Sequence, residues 1–206
     1  MDRIDKPPRR LSFKAINTLA QKFLTEHNCL NNVPIPIEKI ALELDLIIIP
    51  ASDLQSINGM EAFIIPQKKE IYIDRKIHDH QSPNRYNSTL AHEIAHFILH
   101  EEYMHEFKSE EDHVNFLTNF NEEWLDWIEW QAWNFARLTL LPSNTFPQAY
   151  EQLIIRHGAK IGNFKVIEKE APDLIADKFA PGLSIIFEVS KDLAKIRTLN
   201  YLHHRI

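Results

Sequence analysis

The feature that most constrains this chain is the segment "TLAHEIAHFILH", Thr89–His100, in which two histidines stand four residues apart. On an α-helix each residue turns by about 100°, so His92 and His96 lie about 40° apart, one turn apart on the same face. The other side of the same helix carries a compact apolar stripe: Ala91, Ile94, Ala95 and Ile98. The segment is therefore predicted to be an amphipathic helix that packs on a core and holds its histidines on the other side.

Two imidazoles one turn apart can converge on a single tetrahedral metal ion. Glu93 lies about 60° from His96, so it is badly placed as a ligand but well placed to contact a water molecule on the metal. The alternative is a partly buried helix whose histidines only form hydrogen bonds. The five letters H-E-x-x-H do not decide between these interpretations, because such a match also arises by chance.

Composition narrows the class of protein. A chain of 206 residues, 44% hydrophobic and 25% charged, is expected to form one domain with a sizeable core and at most a small appended subdomain. The formal net charge of −6 does not favour DNA or anionic lipid as a partner. Cys29 is the single cysteine, which excludes an internal disulfide framework and suits a reducing compartment. No apolar run approaches the length of a membrane span, so a soluble, cytoplasmic protein is expected.

Periodicity and turn residues predict the main elements. They comprise an amphipathic helix over 11–26, a short helix over 36–44, a strand over 46–49 closed by Pro50, a hairpin from "GMEAFIIP" and "EIYIDR" joined by "PQKK", a loop over 77–87 with Asn87 or Ser88 capping the histidine helix, and a long helix from Glu122 to Leu141. The remainder is predicted to be helical apart from one extended piece, "LSIIFEV".

A third metal ligand must come from elsewhere in the chain, because a catalytic zinc commonly has three protein ligands and one open position. The long downstream helix offers four acids: Glu122, Glu123, Asp126 and Glu129. Spacing alone leaves the choice among them open.

Two motifs make the sequence similar to a known family. "RYNSTLAHEIAHFILH", Arg85–His100, resembles the "RFTLAHELGHLLLH" pattern of the ImmA/IrrE family of zinc metallopeptidases, a gluzincin-like branch. "EWQAWNFARLTLLP", Glu129–Pro142, resembles the downstream pattern E-x-x-A-N-x-F-A-x-x-L-L-M-P of that family. The resemblance extends to the leading helix, "PIEKIALEL", the strand pair and the tail "FEVSKDLAKIRTL". Two motifs in the right order are much more specific than either alone.

The resemblance implies an α+β zincin-like metallopeptidase domain, mostly helical with a small sheet, over residues 1–142. Residues 143–206 would form a helical C-terminal extension or subdomain. It also implies a Zn²⁺ ion bound by His92, His96 and Glu129, with Glu93 as the general base.

This sequence departs from the family pattern at two positions. Trp133 stands where the family has Asn or Asp one turn after the ligand glutamate, so a hydrogen-bond partner near the metal is either missing or supplied by Asn134. Ala95 replaces the usual glycine of the first motif. Glu122 remains an alternative ligand, because with Asp126 it forms an E-x-x-x-D pair like that of other gluzincins. Glu129 is preferred because five following residues are in register with the family pattern: Phe135, Ala136, Leu140, Leu141 and Pro142.

The function that follows is a zinc-dependent endopeptidase acting on an intracellular protein. The resemblance implies that the substrate is a helix-turn-helix transcriptional repressor, cut under stress or in control of a mobile element. Neither a membrane nor direct nucleic-acid binding is expected. One alternative is a non-catalytic protein-interaction module that retains the fold, and Trp133 favours it. The other is a transcription factor with structural zinc, which the acidic net charge disfavours.

Two further groups of residues are interpreted as structural or exposed. Four tryptophans at every third position are predicted to pack into the core: Trp124, Trp127, Trp130 and Trp133. Four side chains after the motif are predicted to be exposed rather than to stabilise an oxyanion: His100, Tyr103, His105 and His113.

Overall fold

The computed structural model describes residues 7–79, 83–157 and 163–204. The helices are α1 (Phe13–Glu26), α2 (Ile37–Glu43), α3 (Leu54–Asn58), α4 (Arg75–His78), α5 (Pro83–Leu99), α6 (Glu101–Met104), α7 (Glu110–Asn119), α8 (Glu122–Leu140), α9 (Phe146–His157), α10 (Phe164–Glu170), α11 (Pro172–Phe187) and α12 (Lys191–His204). The strands are β1 (Ile47–Ala51), β2 (Ala62–Ile65) and β3 (Glu70–Asp74). The helices predicted near the N-terminus and before Pro142 are confirmed, whereas α3, α4, α6 and α7 were not predicted.

The three strands form one sheet in the order β1-β3-β2. β2 and β3 are antiparallel and are joined by a 3₁₀ turn at Pro66–Lys68, so the predicted hairpin is confirmed. β1 runs parallel to β3 and continues through Pro50, which lies opposite Ile73. The prediction that Pro50 closes the strand is wrong, because β1 is an edge strand of this sheet and an edge strand tolerates a residue without an N–H group.

Helix α5, which carries the two histidines, begins earlier than predicted. Pro83 is its first residue, and proline is typical of the first turn of a helix because the missing N–H group is not needed there. Ser88 is therefore inside the helix, where its hydroxyl donates to the carbonyl oxygen of Asn84. The predicted loop is wrong from residue 83 to residue 87, and residues 80–82 of it lie outside the described residues.

The C-terminal part is helical, as predicted, but the extended piece is not extended. "LSIIFEV" begins inside α11, which ends at Phe187 and is followed by Glu188 with φ of 52°. A short apolar run does not by itself distinguish a strand from a buried helix, and here Leu183 and Phe187 pack one turn apart in the core.

The core places α5 and α8 side by side. α5 packs against α8, α2 and β2, while α8 also packs against α1 and α12. The apolar stripe of α5 is buried at Ala91, Ile94 and Ala95, whereas Ile98 at its edge is 39% exposed. The α+β class with a small sheet and a helical C-terminal extension is confirmed, and the division at residue 142 stays a prediction. Among the described residues, none of the helices combines the length and apolarity needed to cross a membrane.

Candidate metal centre

Helices α5 and α8 bring two histidines and one carboxylate together. The Nε2 atoms of His92 and His96 lie 3.0 Å apart. Glu129, at the middle of α8, places one carboxylate oxygen 3.2 Å from Nε2 of His92 and the other 3.3 Å from Nε2 of His96. In the part of the chain that the structure describes, these three side chains form the one cluster of His, Cys, Asp and Glu whose donor atoms lie close enough to share a metal ion.

The cluster fits a tetrahedral ion in geometry and in chemistry. A tetrahedral ion about 2 Å from each ligand holds its ligand atoms about 3.3 Å apart, close to the spacing found between Glu129 and both imidazoles. Two imidazole nitrogens and one carboxylate are also a ligand set found in catalytic zinc sites. Glu122, the alternative ligand, is exposed in the first turn of α8, about 10 Å along the axis from Glu129.

His96 is oriented by a third histidine. Nδ1 of His96 lies 3.2 Å from Nδ1 of His100, the residue that directly follows the end of α5. Burial, together with the charge of His96, lowers the pKa of His100 to about 3, so His100 is neutral and one of its ring nitrogens can accept a hydrogen bond. A His96 that keeps Nε2 free for a metal carries its proton on Nδ1 and donates it to His100.

His92 is held differently. Its ring stacks on the indole of Trp133, with ring centroids 4.1 Å apart and planes 27° apart. Nδ1 of His92 is buried without a hydrogen-bond partner. Asn134 does not take that place, because its amide donates to the carbonyl oxygen of Trp130 and its Oδ1 accepts from Arg137. The departure seen at position 133 therefore leaves His92 with an aromatic face where a metal-binding histidine ordinarily has a hydrogen-bond acceptor.

The two carboxylates near the centre have opposite pKa shifts. Glu93 is 4% exposed, and burial raises the pKa of its carboxyl group to about 7, while His96 lowers it and Glu129 raises it. Burial also raises the pKa of Glu129, but the charge of His96 and the hydrogen bonds from both histidines outweigh burial and bring that pKa far below its usual range. Glu129 is therefore ionised, the state in which a carboxylate can bind a metal, and the carboxyl group of Glu93 has a pKa close to neutral.

Three of the four side chains predicted to be exposed are buried. His100, Tyr103 and His113 are each less than a tenth exposed, whereas His105 is exposed as predicted. His113 comes from α7, and its ring lies 5.5 Å from that of Phe63 in β2. Burial lowers the pKa of His113 to about 4, and its Nδ1 is buried without a partner. The acidic, weakly periodic sequence around α7 gave no signal that this element covers the site.

The prediction of core packing for the four tryptophans holds for Trp133, which packs against the core, and is wrong for Trp124, Trp127 and Trp130. Trp130 is 37% exposed and the other three are half-buried. A spacing of three residues drifts by about 60° per step, so the indoles wrap around α8, while the fully buried positions include Ile128, Ala132 and Phe135.

Comparison with known proteins decides the family. Residues 54–164, more than half of the chain, match the model of the peptidase M78 family, which is described as the IrrE N-terminal-like domain. The chain belongs to this family. The resemblance to ImmA/IrrE metallopeptidases and the zincin-like α+β class are thereby confirmed. No curated protein and no solved structure matches the chain significantly. The matched residues include the whole metal-binding cluster and Glu93.

Proposed function

We propose that this protein is a zinc-dependent endopeptidase that hydrolyses a peptide bond in an intracellular protein. The observation that carries the proposal is the convergence of His92, His96 and Glu129 on one point, in a chain that belongs to a metallopeptidase family. These three residues would hold the ion, and the buried Glu93 would be the general base.

The proposed reaction assigns separate roles to the metal ion and to the side chains around it. When bound, zinc supplies a Lewis acid that polarises the peptide carbonyl and makes a water molecule more acidic. Glu93, next to His92 on the same helix, would take the proton from the attacking water and return it to the departing amine.

An extended substrate would be held by strand β2. Among the described residues β2 pairs with β3 on one side only, so its other edge can accept the main chain of a peptide. Glu61, directly before β2, ties this strand to α5 by accepting from Thr89 at 3.1 Å and by pairing with Arg85. A peptide added to this edge would therefore lie beside the helix that carries Glu93.

The substrate is proposed from the family resemblance to be a helix-turn-helix repressor, and the site of action to be the cytoplasm. A second candidate function is a protein-interaction module that keeps the fold without hydrolysis. The unpartnered Nδ1 of His92 beside Trp133 favours this second candidate, because the loss of a hydrogen-bond partner weakens metal binding.

Glu93→Gln separates the two candidates. Proteome-derived peptides and a panel of purified helix-turn-helix repressors are incubated with the zinc-loaded protein, and new N-termini are counted by mass spectrometry. The wild type should produce them and Glu93→Gln should lose them by orders of magnitude, while still binding zinc. Glu122→Gln, an exposed acid on α8, is the control and should cleave like the wild type. Equal cleavage by Glu93→Gln and wild type, or no new N-termini from either, would refute the peptidase.

A further inference from the structure

A large cavity lies beside the proposed metal centre. It has a volume of about 1070 Å³ and is bounded by α5, α8, α11 and α12, at the upper end of the range of about 300–1,000 Å³ typical of small-molecule sites. Trp133 lines this cavity and also stacks on His92. The cavity and the metal-binding cluster are thus neighbouring parts of one groove between α5 and α8. We call it the Arg137 cavity, after the residue in its wall that matters most.

Arg137 is a buried cation without a counter-charge. It is 7% exposed, lies two turns beyond Glu129 on α8, and lines the cavity. Its Nη1 donates to Oδ1 of Asn134 at 2.9 Å, while its Nε is buried without a partner. Among the described residues no carboxylate forms an ion pair with it. A guanidinium has five N–H groups, so most of its donor capacity is unused.

The charged groups near Arg137 do not neutralise its guanidinium group. Burial lowers the pKa of Arg137 to about 10, which still leaves it charged at neutral pH. Arg197, fully buried on α12, has its pKa lowered by burial and then by the charge of Arg137, and it donates to the carbonyl oxygen of Leu141 and to the hydroxyl of Ser143. The remaining arginine of the cavity wall, Arg85, is already neutralised by Glu61. Lys191 and Asp192 also line the cavity and carry opposite charges, so they leave the charge of Arg137 in excess.

The other walls suit a ligand with an apolar body. Trp130, Trp133 and Ile196 supply aromatic and aliphatic surface, and Ser88, Ser184 and Asn200 add hydrogen-bonding groups around it. We propose that the Arg137 cavity binds a small organic anion, a carboxylate carried on an aromatic or aliphatic body, with Arg137 as its counter-charge. Because Trp133 lies between the cavity and His92, the occupant contacts the ring that packs on a proposed metal ligand. This proposal does not depend on peptidase activity.

A pair of probes that differ only in charge tests it on the unaltered protein. 4-Fluorobenzoate and its neutral isostere 4-fluorobenzamide are titrated against the full chain without added metal, followed by ¹⁹F NMR of the probe and by the indole N–H signals of the protein. The benzoate should bind about ten-fold or more tightly than the benzamide, and should shift the signals of Trp130 and Trp133 rather than Trp124. Equal binding of the two probes, no binding of either, or shifts confined to Trp124 would overturn the proposal.

Variants then locate the counter-charge. Arg137→Gln should weaken benzoate binding about ten-fold or more, and Arg137→Lys should retain part of it. The double variant Arg85→Gln with Glu61→Gln is the matched control, since it removes an ion pair of the same cavity without changing the net charge of its wall, and it should change binding little. Circular dichroism reports whether Arg137→Gln folds; if it does not, the charge preference of the wild type still decides. Unchanged binding in a folded Arg137→Gln would overturn the assignment.

A carboxylate can reach the cavity on a free molecule or on the side chain of a bound polypeptide. Two capped tripeptides, one with a central Glu between phenylalanines and one with Gln in its place, distinguish these sources. Tighter binding of the benzoate than of the Glu peptide supports a free small anion, and the reverse supports an acidic side chain. If Glu and Gln peptides bind alike and the two fluorinated probes also bind alike, the cavity has no anion site.

Discussion

His92 and His96 of α5 share one neighbour at Nε2 but differ in what surrounds the rest of the ring. Both contact the carboxylate of Glu129. The other ring nitrogen of His96 forms a hydrogen bond with His100. The ring of His92 instead stacks on the face of Trp133, and its Nδ1 has no hydrogen-bond partner. One ligand is oriented by a directional bond and the other by packing.

In the proposed zinc site, this difference predicts that His92 contributes less to metal affinity than His96 does. A hydrogen bond to the distal nitrogen fixes the tautomer of a metal-binding histidine and raises its basicity, and stacking does neither. Trp133, however, contacts both His92 and the Arg137 cavity. We therefore expect the hydrogen bond between His96 and His100 to increase zinc affinity. We also expect zinc affinity to change with the side chain that contacts His92.

Glu129 contacts both histidines and is itself a proposed metal ligand, so its loss should reduce zinc affinity more than any other change. Glu129→Ala should weaken zinc binding by more than about 100-fold, beyond the effect of losing a hydrogen-bonding neighbour, because it removes one of the three proposed protein ligands of the ion. Glu122→Ala should leave affinity unchanged, since that acid is exposed in the first turn of α8. Competition with a fluorescent zinc chelator measures both, with circular dichroism as the folding control. The reverse result would mean that the register of α8 on α5 is wrong.

The His96 side is tested by His100→Phe. Removing the partner of Nδ1 should weaken zinc binding by about 10- to 100-fold. His113→Phe is the matched control, because His113 is also buried and neutral but does not contact either histidine of the cluster. The same chelator competition applies. If both variants lose affinity equally, the loss reflects a general disturbance and the hydrogen bond to His100 has no special role.

Substitution of Trp133, the neighbour of His92, should increase zinc affinity rather than lower it, and by a smaller factor. Trp133→Asn restores an acceptor near Nδ1 of His92, so zinc should bind about 10-fold more tightly. Trp133→Phe keeps an aromatic face and adds no acceptor, and its affinity should stay within about two-fold of the wild type. Weaker binding in Trp133→Asn than in Trp133→Phe would show that stacking stabilises His92 better than a hydrogen bond does.

The sequence predicted what depends on local pattern and missed what depends on packing between distant elements. The hairpin and the end of α8 before Pro142 follow from turn residues and periodicity, and both are confirmed. The start of α5, the helical form of "LSIIFEV" and the burial of His113 were predicted wrongly. His113 is buried because α7 folds over β2, a contact between residues fifty positions apart that leaves no periodic signal in either segment.

The contacts of Trp133 at the candidate metal centre could not be predicted from the sequence either. The family pattern made position 133 conspicuous, and the question of whether Asn134 replaces the missing acceptor could be posed from the sequence. Only the packing of α5 on α8 shows that the indole lies flat on His92 and that Asn134 bonds within its own helix.

The central claim is that one zinc ion is bound by two histidines and one carboxylate. Zinc K-edge X-ray absorption of the protein loaded with one equivalent of zinc tests it most directly. The account predicts two imidazole nitrogens at about 2.0–2.1 Å, further ligation by oxygen alone, and no sulfur. A sulfur shell at about 2.3 Å, which would point to Cys29, or an oxygen-only shell without imidazole scattering would contradict it.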